Sequence, residues 1–216
     1  MDLLSIAVRF ALVVPAIVFH EVAHGYAALA LGDTTARDSG RLSLNPFKHI
    51  DPFGTVLLPL LMTATLGFGF GYAKPVPVNP WRFRGDRRTG MALTGIAGPT
   101  ANLAMALAGA AVVRALGIVS GPLADIAWMA AYAFCAVNLA LMLFNLVPIP
   151  PFDGSRLLLP FLSSRGLAVY HDLERYGFII VIALLWLPER LFRVDLFGLY
   201  FDATLVPLLR LLTGVG

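Results

Sequence analysis

Long apolar stretches alternate with short polar segments along this chain. The four apolar blocks are Phe10–Leu31, Pro52–Ala73, Thr89–Val113 and Ile126–Phe152. The first holds His20, Glu21 and His24 as its only Asp, Glu, Lys, Arg or His residues, and the other three hold none of these. About 20 apolar residues in a helix cross a bilayer. The pattern therefore predicts an all-α polytopic membrane protein.

Weaker segments complete the predicted architecture. Gly177–Pro188 and Leu196–Leu209 are apolar but short, and with the four blocks they give about five to six membrane segments. Three prolines make Lys74–Pro80 an extended, β-like element, since proline disfavours helix at its own position and at the preceding residue. We predict one domain over residues 1–216, with a core at 5–160 and C-terminal spans at about 176–213.

Composition agrees with this class and excludes others. The chain is 58% hydrophobic and 13% charged, whereas a soluble domain carries about 25% charged residues. Cys135 is the single cysteine, so neither a disulfide framework nor a cysteine metal site is available. The net charge of +3 indicates basic cytoplasmic loops rather than a nucleic-acid partner, because no basic patch alternates with stacking aromatics.

The strongest chemical signal is His20-Glu21-Val22-Ala23-His24 in the first apolar block. Two histidines four residues apart share one helix face and can bind one zinc ion, while the adjacent glutamate reaches a metal-bound water. The alternative is a set of ordinary polar residues on a helix. Titratable groups inside a membrane span are costly and functional by default, which favours the metal site.

A catalytic zinc needs a third protein ligand. His49 and His171 lie in polar stretches, whereas Asp153 follows a long apolar block within a proline-broken segment. Non-helical backbone at membrane depth can line a cavity. The alternative for Asp153-Gly154 is a turn at a helix end, and the dipeptide alone favours that turn.

The motifs together resemble the site-2 protease family of intramembrane zinc proteases. His-Glu-x-x-His is followed by Gly-Pro-x-x-Asn at Gly98, Pro99 and Asn102, and by Asn-x-x-Pro-x-x-x-x-Asp-Gly at Asn145, Pro148, Asp153 and Gly154. The resemblance covers about residues 19–154. It implies cleavage of peptide bonds within or near transmembrane segments of a protein or peptide substrate.

The resemblance also implies residue roles. His20, His24 and Asp153 would hold zinc, and Glu21 would be the general base. Asn145 and Asn102 would sit beside the metal and bind the substrate backbone or the developing oxyanion. For the two asparagines the alternative is hydrogen bonding between helices, which is common for polar residues in spans.

Two features depart from the larger family members. The chain leaves no room for a PDZ-type domain, so we expect a short form of the family. It also inserts Pro52–Ala73 before Lys74–Pro80. A strand-like segment near this point pairs with the substrate in the family, and Lys74–Pro80 could act in the same way by strand addition.

The inserted block decides the predicted topology. If it dips into the membrane and returns, Lys and Arg divide 12 to 4 between the two sides; if it crosses, they divide 10 to 6. The positive-inside rule favours the re-entrant arrangement. We expect an integral protein of a prokaryotic cell membrane, in contact with the lipid bilayer. The sequence does not indicate the oligomeric state.

Two other functions remain open at this point. A zinc or proton transporter would place ligands on several spans along a polar path. A non-catalytic protein that binds transmembrane helices would tolerate the loss of Glu21 or of a metal ligand.

Overall fold

The computed structural model describes residues 3–66 and 71–215, and this part of the chain is helical without a β-strand. Its eight α-helices are α1 (Leu3–Ala30), α2 (Thr35–Asp38), α3 (Leu58–Leu66), α4 (Arg87–Leu116), α5 (Pro122–Asn145), α6 (Ser164–Arg175), α7 (Gly177–Phe192) and α8 (Leu196–Thr213). Tighter or wider helical turns occur at Pro46–Lys48, Pro52–Leu57, Pro80–Arg82 and Asp153–Phe161. The all-α class is thereby confirmed.

Four helices in the described residues are long and apolar enough to cross a membrane. They are Ala11–Ala30, Arg87–Leu116, Pro122–Asn145 and Leu196–Thr213. The predicted number of five to six membrane segments is not confirmed. The difference falls on the described helical part of the inserted block, Pro52–Ala64, and on α7, which are both apolar but shorter than about 20 residues.

Helix α4 lies at the centre of the bundle, where it packs against α1, α5 and the turn Asp153–Phe161. Small residues allow this close packing. A Cβ atom on Gly109 would lie 3.2 Å from Cys135 Cβ of α5, so the two helix backbones are nearly in contact. The buried core beside this contact consists of Ala106, Ala110, Cys135, Leu139, Met142, Leu143 and Leu209.

Hydrogen bonds at the helix ends establish the directions of the spans. The Arg84 amide donates to Leu31 O, which places the start of α4 beside the end of α1. The Arg114 guanidinium donates to Leu211 O and Leu212 O, so α4 and α8 end together. Since α5 runs antiparallel to α4, the segment that follows α5 returns to the bundle end where α1 finishes. We call this end the loop end.

The inserted apolar block leaves and returns at the same place. The wide helical turn Pro52–Leu57 leads into α3, and residues 67–70 lie outside the described part. Beyond them, the Tyr72 amide donates to Gly54 O at 3.0 Å and the Lys74 amide donates to His49 O at 2.9 Å. The chain after the block therefore lies against the chain before it.

Helix α7 does not appear among the candidate spans. It begins at Gly177, where an added Cβ would lie 2.9 Å from Pro151, and it ends three residues before α8. The start of α8 is near the end of α5, because the rings of Phe197 and Phe144 lie 5.4 Å apart. Both ends of α7 are thus at the loop end, and the structure does not support Gly177–Pro188 as a crossing. Arg190 and Arg193 move to the loop end accordingly.

Candidate metal centre

Three side chains from distant parts of the chain converge at the centre of the bundle. His20 and His24 come from α1, and Asp153 begins the turn after α5. Each pair among His20 Nε2, His24 Nε2 and Asp153 Oδ2 is separated by 3.0 Å. All three residues are buried. In the described residues this is the group of His, Cys, Asp or Glu side chains that can hold a metal ion.

The hydrogen bonds of the two rings determine which nitrogens carry protons. His20 Nδ1 faces Asn102 Oδ1 at 2.6 Å, and His24 Nδ1 faces Thr94 O at 2.7 Å. Both oxygens are acceptors, so both Nδ1 atoms donate, and a neutral ring then has a bare lone pair on Nε2. Two lone pairs and one carboxylate oxygen meet at 3.0 Å. Three acceptors this close repel one another unless a proton or a metal ion lies between them, and a metal ion can satisfy all three at once.

The spacing of the three atoms suits a tetrahedral ion. Zinc binds histidine nitrogen and carboxylate oxygen at about 2.0–2.2 Å, which puts the ligand atoms of a tetrahedral site about 3.3 Å apart. The observed triangle is slightly tighter than this. Three protein ligands also leave the fourth position for water, as catalytic zinc sites require. The residues present therefore fit a catalytic zinc.

A chain of buried amides holds the ring of His20. Asn102 Nδ2 donates to Ala16 O and to Asn138 Oδ1, and Asn138 Nδ2 donates to Phe134 O. These bonds leave Asn102 Oδ1 for His20 Nδ1. Both asparagines are fully buried. Partners of this kind orient a metal-binding histidine and raise its basicity.

The contacts of Asn102 agree with the helix-to-helix alternative rather than with substrate contact. Its amide links α4 to α1 and α5, and all of its hydrogen bonds are made inside the bundle. Asn145 is half-buried and donates to Leu141 O of its own helix. No hydrogen bond joins Asn145 to the three converging side chains within the described residues. Its Nδ2 keeps a second hydrogen for another acceptor.

Glycines on α4 make room for the site. A Cβ atom on Gly98 would lie 2.5 Å from His24 Nε2 and 2.6 Å from His20 Nε2. A side chain at this position would press on both of the ring nitrogens that face Asp153. Gly95 similarly admits the turn of Asp153, since its Cβ would lie 3.0 Å from Asp153 O. Gly98 of the Gly-Pro pair thus has a steric role beside the two histidines.

Local contacts also position Asp153. Arg156 Nη1 donates to Asp153 Oδ1 at 3.1 Å, which leaves Oδ2 toward the histidines. Gly154 packs directly on the backbone of Leu146, where any side chain would overlap Leu146 O. The turn interpretation of Asp153-Gly154 and the ligand interpretation are therefore compatible: the tight turn brings the carboxylate to the rings.

Glu21 contacts the extended segment. Its Oε2 accepts a hydrogen bond from the Val76 amide at 3.0 Å, and no described residue donates to Oε1. Arg41 Nη2 donates to Lys74 O at 2.7 Å. The segment is extended but forms no ladder with another strand in the described chain.

Asp33 holds the far end of the extended segment. Its Oδ2 accepts from the Asn79 amide at 2.6 Å, and its Oδ1 accepts from the Thr35 amide at 3.0 Å. Burial acts to raise the pKa of Asp33, but the hydrogen bonds from Asn79 and Thr35 outweigh it and leave the pKa below its usual value. The carboxylate is therefore charged at neutral pH and anchors the segment to the end of α1.

The two remaining histidines lie away from the centre. His49 Nε2 contacts Ser43 O, and His171 Nδ1 lies 3.5 Å from Glu174 on α6. Neither joins the group of three. Sequence reasoning missed Thr94, Asn138 and Arg156. The sequence pattern could have indicated Asn138, because it is a second amide side chain in an apolar span. It could not have indicated Thr94, which contacts His24 through its main-chain carbonyl.

The sequence of this chain is similar to those of known proteins. The model of peptidase family M50 matches residues 109–188. "Putative zinc metalloprotease YwhC" of Bacillus subtilis is 39% identical over 78% of this chain and 75% of its own length. "Putative zinc metalloprotease Rip2" of Mycobacterium tuberculosis H37Rv is 30% identical over 78% of this chain and 62% of its own length. No solved structure matches.

A bundle of apolar helices around a His-His-Asp site is the architecture of a membrane metalloprotease. The chain belongs to peptidase family M50, the site-2 protease family of zinc-dependent metalloproteases. The resemblance stated from the motifs and the enzyme class are thereby confirmed. The family model covers Asn145 and Asp153 but not the histidine motif, so the site itself depends on the geometry above.

Substitution of Gly98 tests the space beside the two rings. Gly98→Ala places a methyl group within 2.6 Å of both Nε2 atoms, so we expect the purified protein to lose most of its bound zinc. Metal content by mass spectrometry measures this. Gly109→Ala is the control, because its methyl group meets α5 at 3.2 Å, away from the site. Equal zinc in Gly98→Ala and wild type would show that the space beside the two ring nitrogens is not needed for metal binding.

Substitution of Asn102 tests the support of His20. Asn102→Leu removes the acceptor of the Nδ1 proton, and we expect zinc affinity to fall about 10- to 100-fold. Competition with a chromophoric chelator measures the affinity in detergent. Thr100→Val is the control, since Thr100 is an exposed polar residue of the same helix. An unchanged affinity in Asn102→Leu would remove the orienting role.

Proposed function

We propose that this chain is a zinc-dependent intramembrane endopeptidase that hydrolyses peptide bonds within or near transmembrane segments of substrate proteins. The observation that supports this most is the buried triangle of His20, His24 and Asp153 with Glu21 beside it. A transporter would need further ligands along a path. In the described residues these three side chains form a single group inside the helices.

Each residue of the triangle has a defined part in the proposal. His20 and His24 would hold zinc through Nε2, and Asp153 would hold it through Oδ2. When bound, zinc lowers the pKa of its water toward about 7 and polarises the scissile carbonyl. Arg156 keeps the second oxygen of Asp153 engaged, so that the carboxylate binds through one oxygen.

Glu21 is the proposed general base. Its Oε1 takes the proton of the attacking water and returns it to the leaving amine, as a carboxylate next to a metal site can do. Asn145 offers its second Nδ2 hydrogen to the oxyanion that develops on the carbonyl. Asn102 does not contact the substrate in this proposal; it holds the ring of His20.

Substrate recognition requires an extended peptide, because a helical peptide bond hides its carbonyl in the backbone ladder. The segment Lys74–Pro80 lies against Glu21. Its carbonyls at Lys74, Pro75, Asn79 and Pro80 already accept hydrogen bonds, so the three carbonyls of residues 76–78 would meet an incoming strand. Its own amides are mostly unavailable, since prolines carry none and those of Lys74, Val76 and Asn79 are bonded. A substrate strand would therefore act mainly as the hydrogen-bond donor.

The membrane arrangement follows from the helix directions. With four crossings and a re-entrant Pro52–Ala73, the end opposite the loop end has three of the 16 Lys and Arg residues, which are Arg9, Arg114 and Arg210. The loop end has the other 13, one more than the sequence-based division placed on its richer side. The positive-inside rule then puts the loop end, and with it the metal site, near the cytoplasm of a prokaryotic cell membrane.

The catalytic proposal is tested by metal content and cleavage together. Wild type should contain about one zinc per chain, and His20→Ala and Asp153→Ala should lose it. Glu21→Gln should keep the zinc but cut a labelled single-pass peptide with helix-breaking residues about 10²- to 10⁴-fold more slowly. His171→Ala, an exposed histidine, is the control for both measurements. Cleavage by Glu21→Gln at the wild-type rate would exclude the proposed mechanism.

The topology is tested with single cysteines and an impermeant maleimide. Ser39→Cys and Arg84→Cys flank the inserted block, and Ser120→Cys lies between α4 and α5. We expect the first two to react from the cytoplasmic side and the third from the opposite side. The native Cys135 is fully buried and serves as the unreactive background. Reaction of positions 39 and 84 from opposite sides would show that the block crosses.

A further inference from the structure

The extended segment makes one contact that the proposed mechanism leaves unused. Val76 donates its main-chain amide to Glu21 Oε2 at 3.0 Å, so one oxygen of the general base is already engaged. The Val76 side chain is buried. The contact is part-buried, with the Val76 side chain covered and Glu21 partly exposed.

Several neighbours hold Val76 at this distance from α1. Arg41, itself buried, donates Nη2 to Lys74 O at 2.7 Å and to Pro75 O at 3.3 Å. Gly25, one residue after the histidine motif, has no side chain where Val76 approaches; a Cβ there would lie 3.0 Å from Val76 Cγ1. The segment is thus fixed on both sides of the contact.

The prolines limit the number of main-chain donors in this segment. Pro75 and Pro77 carry no amide, so Val76 is the one donor between Lys74 and Val78. The Lys74 amide bonds His49 O and the Asn79 amide bonds Asp33 Oδ2. Each of these three amides has one acceptor on a different part of the fold, which leaves the segment little freedom to slide along α1.

We propose that the Val76 amide is a positioning group for the general base. It holds Glu21 through Oε2 and leaves Oε1 free to face the attacking water, while Arg41 fixes the position of the amide. This inference rests on the proposed role of Glu21. The extended segment would then have two roles. It would lie beside the substrate, and it would orient the Glu21 carboxylate that acts in cleavage.

Hydrogen exchange tests the contact without any catalytic reaction. Between Lys74 and Asn79 only four amides can exchange, because Pro75 and Pro77 have none. In a proteolytic fragment that starts at Tyr72, the loss of protection at a single amide is therefore a large part of the exchange measured for this segment. In the full-length protein, Glu21→Ala should speed exchange of about one amide in this fragment, with zinc content unchanged. Equal uptake in wild type and Glu21→Ala would overturn the proposal.

Kinetics test the consequence for the base. Val76→Pro removes the amide, whereas Val76→Ala keeps it and trims the side chain. Displacing the carboxylate by about 1 Å should lower kcat about 100-fold in Val76→Pro, with zinc content and KM close to wild type. Val76→Ala should keep a kcat at least about tenfold higher than Val76→Pro. Equal kcat values for the two variants would contradict an amide-specific role.

Two further variants separate positioning from misfolding. Val78→Pro introduces the same residue two positions later and should leave exchange at Val76 protected. Arg41→Ala should lower kcat and release Val76, and Arg41→Lys should restore part of both. If Glu21→Gln is inactive while Val76→Pro has the wild-type kcat, this inference fails and the protease proposal stands. If Glu21→Gln is active, the protease proposal fails first.

Discussion

The structure depends on bringing three acceptor atoms to within 3.0 Å of one another in an apolar bundle. Such a cluster is unfavourable on its own, because acceptors repel and buried polar groups need partners. Each member therefore has a partner on its outer side: Asn102 for His20, Thr94 O for His24 and Arg156 for Asp153. The outward bonds turn all three lone pairs inward. A metal ion held by the three atoms would complete an arrangement that the helices have already prepared.

Close backbone approach is the second requirement, and glycine provides it. Asp153 reaches the two histidines of α1 beside α4, where Gly95 and Gly98 have no side chain to crowd the turn or the rings. The tight turn at Gly154 then points the carboxylate inward. The same centre joins α1, α4, α5 and the turn after α5, so the fold and the site are stabilised by overlapping contacts. A change that separates these elements affects stability and metal binding together.

The sequence predicted the all-α class and the pair of histidines, because both depend on local pattern: apolar length, and histidines four apart on a helix. Asp153 was the better third candidate from its setting, and the family motif strengthened it. Contacts between distant parts of the chain could not be predicted from the sequence pattern. The length of α7 did not reveal that both of its ends lie at the loop end, and this changed the sides of Arg190 and Arg193. The contact of Glu21 with Val76 spans 55 positions and no periodicity encodes it.

The acceptor for His24 is a main-chain carbonyl, that of Thr94, whereas the acceptor for His20 is a side chain. The hydrogen-bond partners of His20 and His24 therefore differ in whether an amino-acid substitution can remove them. A library of single amino-acid changes can weaken the support of His20 through Asn102 or Asn138, but every residue at position 94 still has a carbonyl. The support of His24 is thus invisible to such a library, and only changes in the path of α4 would reveal it. If substitutions at position 94 preserve metal binding, the reason would be that each of them keeps the main-chain carbonyl, and not that the position is far from the metal.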